Sequence, residues 1–160
     1  MPISKQLTFQ LPYFADSSAF FSSIAGHPWS VFLDSGYPGS SQGRYDIIAT
    51  DPVCTLVTQG SITKVTCHHE TLTSSADPFD LVKEQLIADF ISEDNYPFNG
   101  GAIGYFSYDL ARRLETLPVI AKDAEHIADM AVGIYKWAVI VDHQQQKSVL
   151  VGHDLSLIHI

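Results

Sequence analysis

The chain has 160 residues, of which 46% are hydrophobic and 17% are charged, a composition typical of a globular domain with a substantial core. The net charge of −9 and the scattered basic residues argue against a nucleic-acid-binding surface, which needs clustered Lys and Arg. The chain shows neither the roughly 20 apolar residues of a membrane span nor the apolar core of a signal peptide. We therefore expect a cytoplasmic protein that binds neither nucleic acid nor membrane.

The N-terminal third of the sequence predicts three strands and one helix. A strand is expected over 4–11, and three apolar side chains share one of its faces: Leu7, Phe9 and Leu11. Asp16 and the serines after it predict the start of a short helix. Strands then follow over 29–33 and 45–49, joined by a polar loop.

The middle of the chain predicts a hairpin followed by a helix. Apolar residues alternate over 53–58 and 61–68, with Gln59-Gly60 as the turn. Residues 71–76 are expected to form a loop. Asp77 followed by Pro78 is a typical helix start. An apolar stripe with helical spacing then follows: Phe79, Val82, Leu86 and Phe90.

The C-terminal third predicts a strand over 102–108, a helical turn in which Asp109 pairs with Arg113, and a long apolar strand over 130–142. A strand over 147–152 then returns antiparallel. About seven strands and two or three helices with hairpin links indicate an α+β fold on a largely antiparallel sheet. The apolar residues at the end of the chain lead us to expect a piece of a longer protein, with 153–160 as a truncated or non-native tail.

The two cysteines could form a disulfide, remain free thiols or bind a metal. Cys54 and Cys67 could face each other across the hairpin, but a reducing compartment favours two buried thiols. Together with His68 and His69 they have the residue types of a zinc site. The paired Cys-x-x-Cys spacing is absent, and neighbouring residues of a strand point to opposite faces. We therefore expect no metal site here.

Three other features are better explained by structure than by chemistry. The glycines of 100–104 precede an apolar strand and lack the Gly-Lys-Ser/Thr of a phosphate loop, so they indicate close backbone packing. Ser35 lacks the Gly-x-Ser-x-Gly pattern of a nucleophile, which favours a ligand-binding or turn-capping serine. Five histidines lie in loops or near strand ends, where we expect them to be solvated: His27, His126, His143, His153 and His159.

Two apolar runs end in polar residues that could line one small pocket. Ser35 offers a hydroxyl group, Arg44 a cation, Asp46 a carboxylate and Tyr45 an aromatic wall. This set suits a small zwitterion that carries a ring. A surface ion pair between Arg44 and Asp46, which would be weak, explains the same spacing equally well. Residue chemistry alone therefore indicates an α+β domain with a small-ligand pocket and no visible active site.

Five segments together resemble the N-terminal region of the aminodeoxychorismate synthase component I family, which is similar to anthranilate synthase component I. The segments are Trp29–Gly36, Arg44–Ile47, Asp51–Leu56, Gly100–Glu115 and Asp129–Tyr135. The Gly-Gly-x-x-Gly-Tyr-x-x-Tyr-Asp-x-x-Arg pattern is quite specific to this chorismate-using group. Asp34 before Ser35, and Arg44-Tyr45-Asp46 in place of Arg-Tyr-Ser, favour the aminodeoxychorismate branch over the anthranilate branch.

The resemblance implies an anthranilate synthase component I-like N-terminal domain over 1–152, built as an antiparallel β sandwich flanked by helices. The full subunit would aminate chorismate at C4 for 4-aminobenzoate and folate synthesis, with Mg²⁺ and with ammonia from a glutamine amidotransferase subunit. The chorismate and Mg²⁺ groups belong to the C-terminal domain of the family, which we expect to be absent here. No catalytic residue, metal ligand or cofactor is therefore assigned to this piece.

The resemblance also implies a tryptophan pocket formed by Leu33, Ser35, Arg44, Tyr45 and Asp46. Ser35 would meet the head group of the amino acid, while Tyr45 and the backbone beside Arg44 would line the pocket. Because the C-terminal half of the family closes part of this pocket, the piece alone would bind weakly. Two other hypotheses stay open, namely a free-standing amino-acid-binding regulatory module and a purely structural domain.

Overall fold

The computed structural model describes residues 6–86, 96–113, 115, 118 and 126–153. The chain divides into two compact units. The first comprises Met1–Pro52, Ile87–Gly101 and Tyr135–Ile160, and the second comprises Val53–Leu86 and Ala102–Ile134. Two five-stranded sheets organise the described residues. The predicted tail falls almost wholly outside them, since only His153 is described and it ends the last strand.

The described residues form ten strands, two α-helices and one 3-10 helix. In chain order the strands are β1 (Gln6–Leu11), β2 (Val31–Leu33), β3 (Tyr45–Ala49), β4 (Cys54–Gln59), β5 (Ile62–Cys67), β6 (Glu70–Ser74), β7 (Gly101–Phe106), β8 (Met130–Tyr135), β9 (Trp137–Asp142) and β10 (Lys147–His153). The helices are α1 (Ser18–Ile24) and α2 (Pro78–Gln85), and the 3-10 helix spans Tyr108–Arg113. The predicted α+β class with antiparallel sheets is confirmed.

The sheet of the first unit has the strand order β1-β10-β9-β3-β2, and its neighbours pair antiparallel. One face packs against α1, and its buried centre is formed by Ile48, Trp137, Val139 and Val141. The predicted helix after Asp16 is thus confirmed. Leu7 and Phe9, predicted to share one face of β1, are 38% and 53% exposed. The seven residues of α1 span only about 10 Å, which is too short to cover the whole of β1.

The sheet of the second unit has the strand order β6-β5-β4-β8-β7. Its core combines side chains of β4, β8, α2 and the 3-10 helix, and the largest contributors are Leu56, Leu81, Leu110, Met130 and Ile134. Residues 71–76 were predicted to form a loop, but most of them belong to β6. Cys67 pairs with Glu70, so His68 and His69 form a two-residue turn, and both have positive φ. That turn geometry is usually signalled by Asn-Gly, which explains why the strand was missed.

Helix α2 begins where the sequence predicts. The Asp77 carboxylate accepts hydrogen bonds from the backbone N–H groups of Phe79 at 2.8 Å and Asp80 at 3.3 Å, and Pro78 occupies the first turn. The helix ends at Gln85, so the stripe predicted for a longer helix does not hold. Val82 is buried as predicted, but Leu81 is its buried companion. Two members of the stripe are exposed, Phe79 (46%) and Leu86 (39%), and Phe90 lies outside the described residues.

The N-cap of α2 offers a direct test of local stability. We expect Asp77→Ala to lower the free energy of unfolding by about 1 kcal/mol, because the N–H groups of Phe79 and Asp80 lose their acceptor. Asp77→Ser keeps a capping oxygen and should retain most of that stability. Urea unfolding followed by far-UV circular dichroism measures both variants. Equal losses for Ala and Ser would contradict a capping role.

Residues 130–142, predicted as one long strand, form two strands that belong to different sheets. Strand β8 pairs with β4, whereas β9 pairs with β3 and β10, and Lys136 separates the two. The break has no hydrophobic signature, because all six residues of β9 and five of the six in β8 are buried. The strand predicted over 147–152 is confirmed as β10.

The two cysteines form a disulfide, so the prediction of two free thiols is wrong. The turn at Gly60 and Ser61 pairs Gln59 with Ile62, and this register places Cys54 directly opposite Cys67 with a Cα–Cα distance of 4.3 Å. Both sulfur atoms lie 3.6 Å from Oε1 of Gln85 in α2. The prediction of free thiols rested on an expected reducing compartment. The register of the hairpin instead determines that the two cysteines pair.

Candidate polar site of the first unit

A buried carboxylate stands at the centre of a polar cluster in the first unit. Asp46, the second residue of β3, is only 2% exposed. Its Oδ1 accepts a hydrogen bond from the backbone N–H of Ser35 at 2.8 Å. Its Oδ2 accepts from Nε2 of His143 at 2.8 Å and from the hydroxyl group of Ser17. Three donors from three separate segments therefore fix this carboxylate in place.

The local structure explains why Ser17 is free to bind Asp46. Ser17 occupies the N-cap position of α1, but its side chain caps no backbone group of the helix. Asp16 instead accepts from the N–H of Ser18 at 3.0 Å. The Ser17 hydroxyl can therefore turn inward, and the residue is 4% exposed. The aspartate predicted to start the helix thus does so, while the serine beside it serves the buried cluster.

His143 follows β9 and is held on several sides. Its Nδ1 lies 3.1 Å from the hydroxyl oxygen of Tyr13, and its ring stacks on that of Tyr37 with 4.2 Å between centroids. Because an ionised carboxylate can only accept, Nε2 donates to Asp46, and in a neutral ring Nδ1 accepts from Tyr13. His143 and His153 are 4% and 3% exposed, so the expectation of solvated histidines is wrong for both.

Two of the other three histidines that were predicted to be solvated are described, and both are exposed as expected. His27 and His126 are exposed, and His27 pairs with Asp51 at 2.9 Å on the surface. His159 lies outside the described residues. The first unit therefore carries two His–Asp pairs of nearly equal length, one exposed and one buried.

The cluster keeps the Asp46 carboxyl ionised. Burial raises its pKa, but the hydrogen bonds from Ser17, His143 and Ser35 outweigh burial, and the net pKa lies below its ordinary value. The pKa of the Tyr13 hydroxyl is raised, first by burial and then by the nearby Tyr37 and Asp46. The arrangement is thus a buried anion surrounded by donors.

A lowered pKa makes the stability of the first unit depend on pH. The contribution of Asp46 is present above the unfolded-state pKa, about 4, and is lost as pH falls toward the lower folded-state pKa. We expect Asp46→Asn to be less stable than wild type at pH 7 and to lose less stability between about pH 5 and pH 2. Urea unfolding at stepped pH measures this difference, with Asp80→Asn as an exposed control. Parallel pH profiles for wild type and Asp46→Asn would contradict the prediction.

Arg44 pairs with Asp142, not with Asp46, so the predicted surface ion pair between Arg44 and Asp46 does not form. Nη2 of Arg44 lies 3.0 Å from Oδ2 of Asp142, and the guanidinium lies 4.5 Å above the centre of the Tyr45 ring. Burial raises the pKa of Asp142, but the bonds from Arg44 and from the following loop lower it overall. Arg44 precedes β3, and Asp142 pairs with Tyr45 across the sheet, so Asp142 presents its carboxylate on the Tyr45 side.

Strand alternation divides the five predicted pocket residues between two faces. Leu33 pairs with Ile47, so Leu33 and Tyr45 share a face, while Asp46 lies on the other. The structure thus joins Ser35 to Asp46, and Arg44 to Tyr45. Leu33 is 47% exposed. No residue-level pattern could separate these groups, because the separation depends on register.

The hydroxyl oxygen of Ser35 is buried. Within the described residues it has no partner in hydrogen-bond geometry, although it lies near enough to Asp46 to help lower the pKa of that carboxyl. A buried polar atom without a partner costs about 1–3 kcal/mol unless something satisfies it. Such an atom is suited to meeting the polar part of a ligand.

A small cavity of about 190 Å³ lies on the Tyr45 side of the sheet. It is lined by Gln10, Tyr45, Tyr96, Ile140, Asp142, Gln145, Lys147 and Val149. The volume is below the roughly 300–1,000 Å³ of typical small-molecule sites. This part of the chain therefore presents only part of a conventional pocket.

The described residues show no metal site and no membrane helix. No group of three or more His, Cys, Asp or Glu side chains in that part of the chain could hold a metal ion. No helix there is long and apolar enough to cross a membrane. In the second unit, Asp109 pairs with Arg112 at 2.7 Å. The side chain of Arg113, its predicted partner, lies outside the described residues, so that pair stays a prediction.

Residues 30–158 match the model of the chorismate binding enzyme family, so the chain belongs to that family. It is 41% identical over 143 residues to aminodeoxychorismate synthase component 1 of Escherichia coli (strain K12), covering 87% of this chain and 32% of that protein. It is 42% identical over 148 residues to the Klebsiella aerogenes protein of the same name, covering 90% and 33%. The resemblance seen in the sequence is confirmed.

Anthranilate synthases are more distant relatives. The chain is 28% identical over 135 residues to the chloroplastic anthranilate synthase alpha subunit 2 of Arabidopsis thaliana, covering 76% of this chain and 22% of that protein. Anthranilate synthase component I from Streptococcus pneumoniae TIGR4 has a similar structure, with a TM-score of 0.61, 24% identity, and coverage of 74% and 26%. At that identity the likeness shows the fold alone. The chain spans about a third of the length of the first curated relatives that it matches.

Proposed function

We propose that this chain is the N-terminal part of a subunit that aminates chorismate to 4-amino-4-deoxychorismate, for 4-aminobenzoate and folate synthesis in the cytoplasm. The observation that carries the proposal is the 41–42% identity to two aminodeoxychorismate synthase component 1 proteins, against 28% for the Arabidopsis anthranilate synthase. On this proposal the remaining domain of the subunit holds chorismate and Mg²⁺. A glutamine amidotransferase subunit supplies ammonia.

The mass of the native polypeptide tests the first part of this proposal. Its mass in source cells, measured by mass spectrometry after affinity capture, should lie well above 17.6 kDa, with the extra chain at the C-terminus. A mass that matches 160 residues would overturn the proposal and favour a free-standing amino-acid-binding module.

The product distinguishes the two branches of the family. The full-length polypeptide should restore growth of a 4-aminobenzoate auxotroph and not of an anthranilate-requiring tryptophan auxotroph. Purified with an amidotransferase subunit, chorismate, glutamine and Mg²⁺, it should form 4-amino-4-deoxychorismate. Growth of the tryptophan auxotroph alone would establish the alternative, an N-terminal region of anthranilate synthase component I.

We further propose that the first unit contributes to a tryptophan site through Leu33, Ser35, Arg44, Tyr45 and Asp46. The buried, unpartnered hydroxyl of Ser35 supports a contact with the head group of the amino acid. Tyr45 and the backbone beside Arg44 would line the side-chain part. Of the five residues, Tyr45 alone lines the 190 Å³ cavity found among the described residues, so the proposal requires another domain to complete the pocket.

Substitution of Ser35 tests this site. Isothermal titration of the full-length polypeptide with L-tryptophan should show binding by wild type and its loss in Ser35→Leu, because the larger side chain fills the space of the ligand. Ser41→Leu, at an exposed position of the neighbouring loop, is the matched control and should bind normally. No binding by wild type would overturn the site and leave a structural domain as the better account.

A further inference from the structure

We propose that Ser17 and His143 are positioning residues that hold the Asp46 carboxylate against the backbone of Ser35 and thereby aim the Ser35 hydroxyl at the ligand. This inference rests on the proposed amino-acid site. Neither residue belongs to the predicted pocket set, and each acts through Asp46. Ser17 and His143 lie far apart in the chain, so only the tertiary structure brings them together.

The hydrogen bonds of the carboxylate carry the first step of the argument. A carboxylate offers about four acceptor sites. One oxygen of Asp46 accepts from the N–H of Ser35, and the other accepts from Ser17 and His143 together. The two side-chain donors fix the plane of the carboxylate and so direct its first oxygen at the Ser35 N–H. Loss of either donor allows the carboxylate to rotate away from Ser35.

The loop that carries Ser35 is held at two points by the same pair. Ser35 donates its N–H to Asp46, and two residues later the ring of Tyr37 stacks on His143 at an interplanar angle of 10°. A Cβ atom at Gly43 would lie 2.9 Å from the backbone of both Ser35 and Tyr37, so Gly43 packs directly on the loop. The conformation of the loop therefore depends on the position of the His143–Asp46 pair.

The order in which these residues contact one another excludes a Ser-His-Asp catalytic triad. In a Ser-His-Asp triad the imidazole lies between the hydroxyl and the carboxylate, and it takes the proton of the serine. Here the carboxylate lies between Ser17 and His143, and the second ring nitrogen of His143 is bonded to Tyr13. The arrangement cannot activate Ser17 as a nucleophile, whereas it can hold a carboxylate.

Tryptophan affinity of the full-length polypeptide tests the positioning role. Ser17→Ala, which removes one buried oxygen, should weaken binding by about tenfold, the worth of one hydrogen bond to a charged group. Ser17→Thr keeps the hydroxyl and should restore most of the affinity. His143→Gln should also weaken binding. The matched controls, Ser18→Ala and His27→Gln, alter an exposed serine beside Ser17 and the exposed His–Asp pair, and they should bind as wild type does.

Hydrogen exchange of the Ser35 amide provides a readout that needs no ligand. If Ser17 and His143 hold the carboxylate, the Ser35 N–H should exchange faster in Ser17→Ala and His143→Gln than in wild type. The proteins are compared under conditions that give them the same global free energy of unfolding. Wild-type binding with unchanged affinity and unchanged exchange in both variants would overturn the positioning role alone. Absence of tryptophan binding by wild type would instead overturn the proposed site itself.

Discussion

We expect His143→Ala to lower the free energy of unfolding by about 1.5–3 kcal/mol, because it removes a hydrogen-bond donor from the buried Asp46 carboxylate. Asp46 is 2% exposed and stays ionised near neutral pH, so water cannot replace the lost donor at little cost. The variant also removes the partner of the Tyr13 hydroxyl and the ring on which Tyr37 stacks. These losses act in the same direction.

Urea unfolding followed by tryptophan fluorescence measures this effect in the relevant unit. The chain has two tryptophans, Trp29 and Trp137, and both belong to the first unit. His27→Ala is the matched control, because it removes an exposed histidine that also pairs with an aspartate, and it should change stability by no more than about 0.5 kcal/mol. Similar losses for the two variants would show that burial of the His143–Asp46 pair adds nothing.

The second large effect is expected in the core of the other unit. Leu56 is completely buried in β4, between β5 and β8, and belongs to the main apolar cluster of that unit. Leu56→Ala removes its buried side chain and leaves a cavity, and we expect a loss of about 2–5 kcal/mol. Far-UV circular dichroism is the appropriate probe, since the second unit contains no tryptophan.

Leu72→Ala is the control for this substitution, because Leu72 lies in β6 of the same sheet but is 73% exposed. It should change the free energy of unfolding by no more than about 0.5 kcal/mol. A loss at position 72 as large as that at position 56 would contradict the assignment of the core.

The fold could be predicted wherever local chemistry decides the structure. Asp77 and Pro78 mark the start of α2, because capping needs only neighbouring residues. An apolar run marks β3, and alternating apolar residues mark the β4–β5 hairpin, for the same reason. Prediction failed at β6, where the His68–His69 turn lacks the usual turn residues, and at Lys136, where a single polar residue separates two largely buried strands.

The candidate site was predictable only in part. Polar residues at the ends of two apolar runs correctly singled out Ser35 and Asp46 as neighbours. Tyr13, Ser17 and His143 were missed, because nothing in their local sequence distinguishes a buried donor from a surface one. The signal available was weak, namely a histidine directly after the apolar run of β9. Arg44 was assigned the wrong partner, because its bond to Asp142 crosses 98 positions of the chain.

The sequence by itself determined the α+β class, the positions of most strands and both helix starts, and the resemblance to chorismate-using enzymes. These properties follow from residue spacing and from motifs that lie within short segments. The tertiary structure decided which sheet each half of 130–142 joins, that Cys54 bonds to Cys67, and how the polar residues divide between two faces. The first depends on which strands pair. The other two depend on strand register, because a shift of one residue moves every side chain to the opposite face.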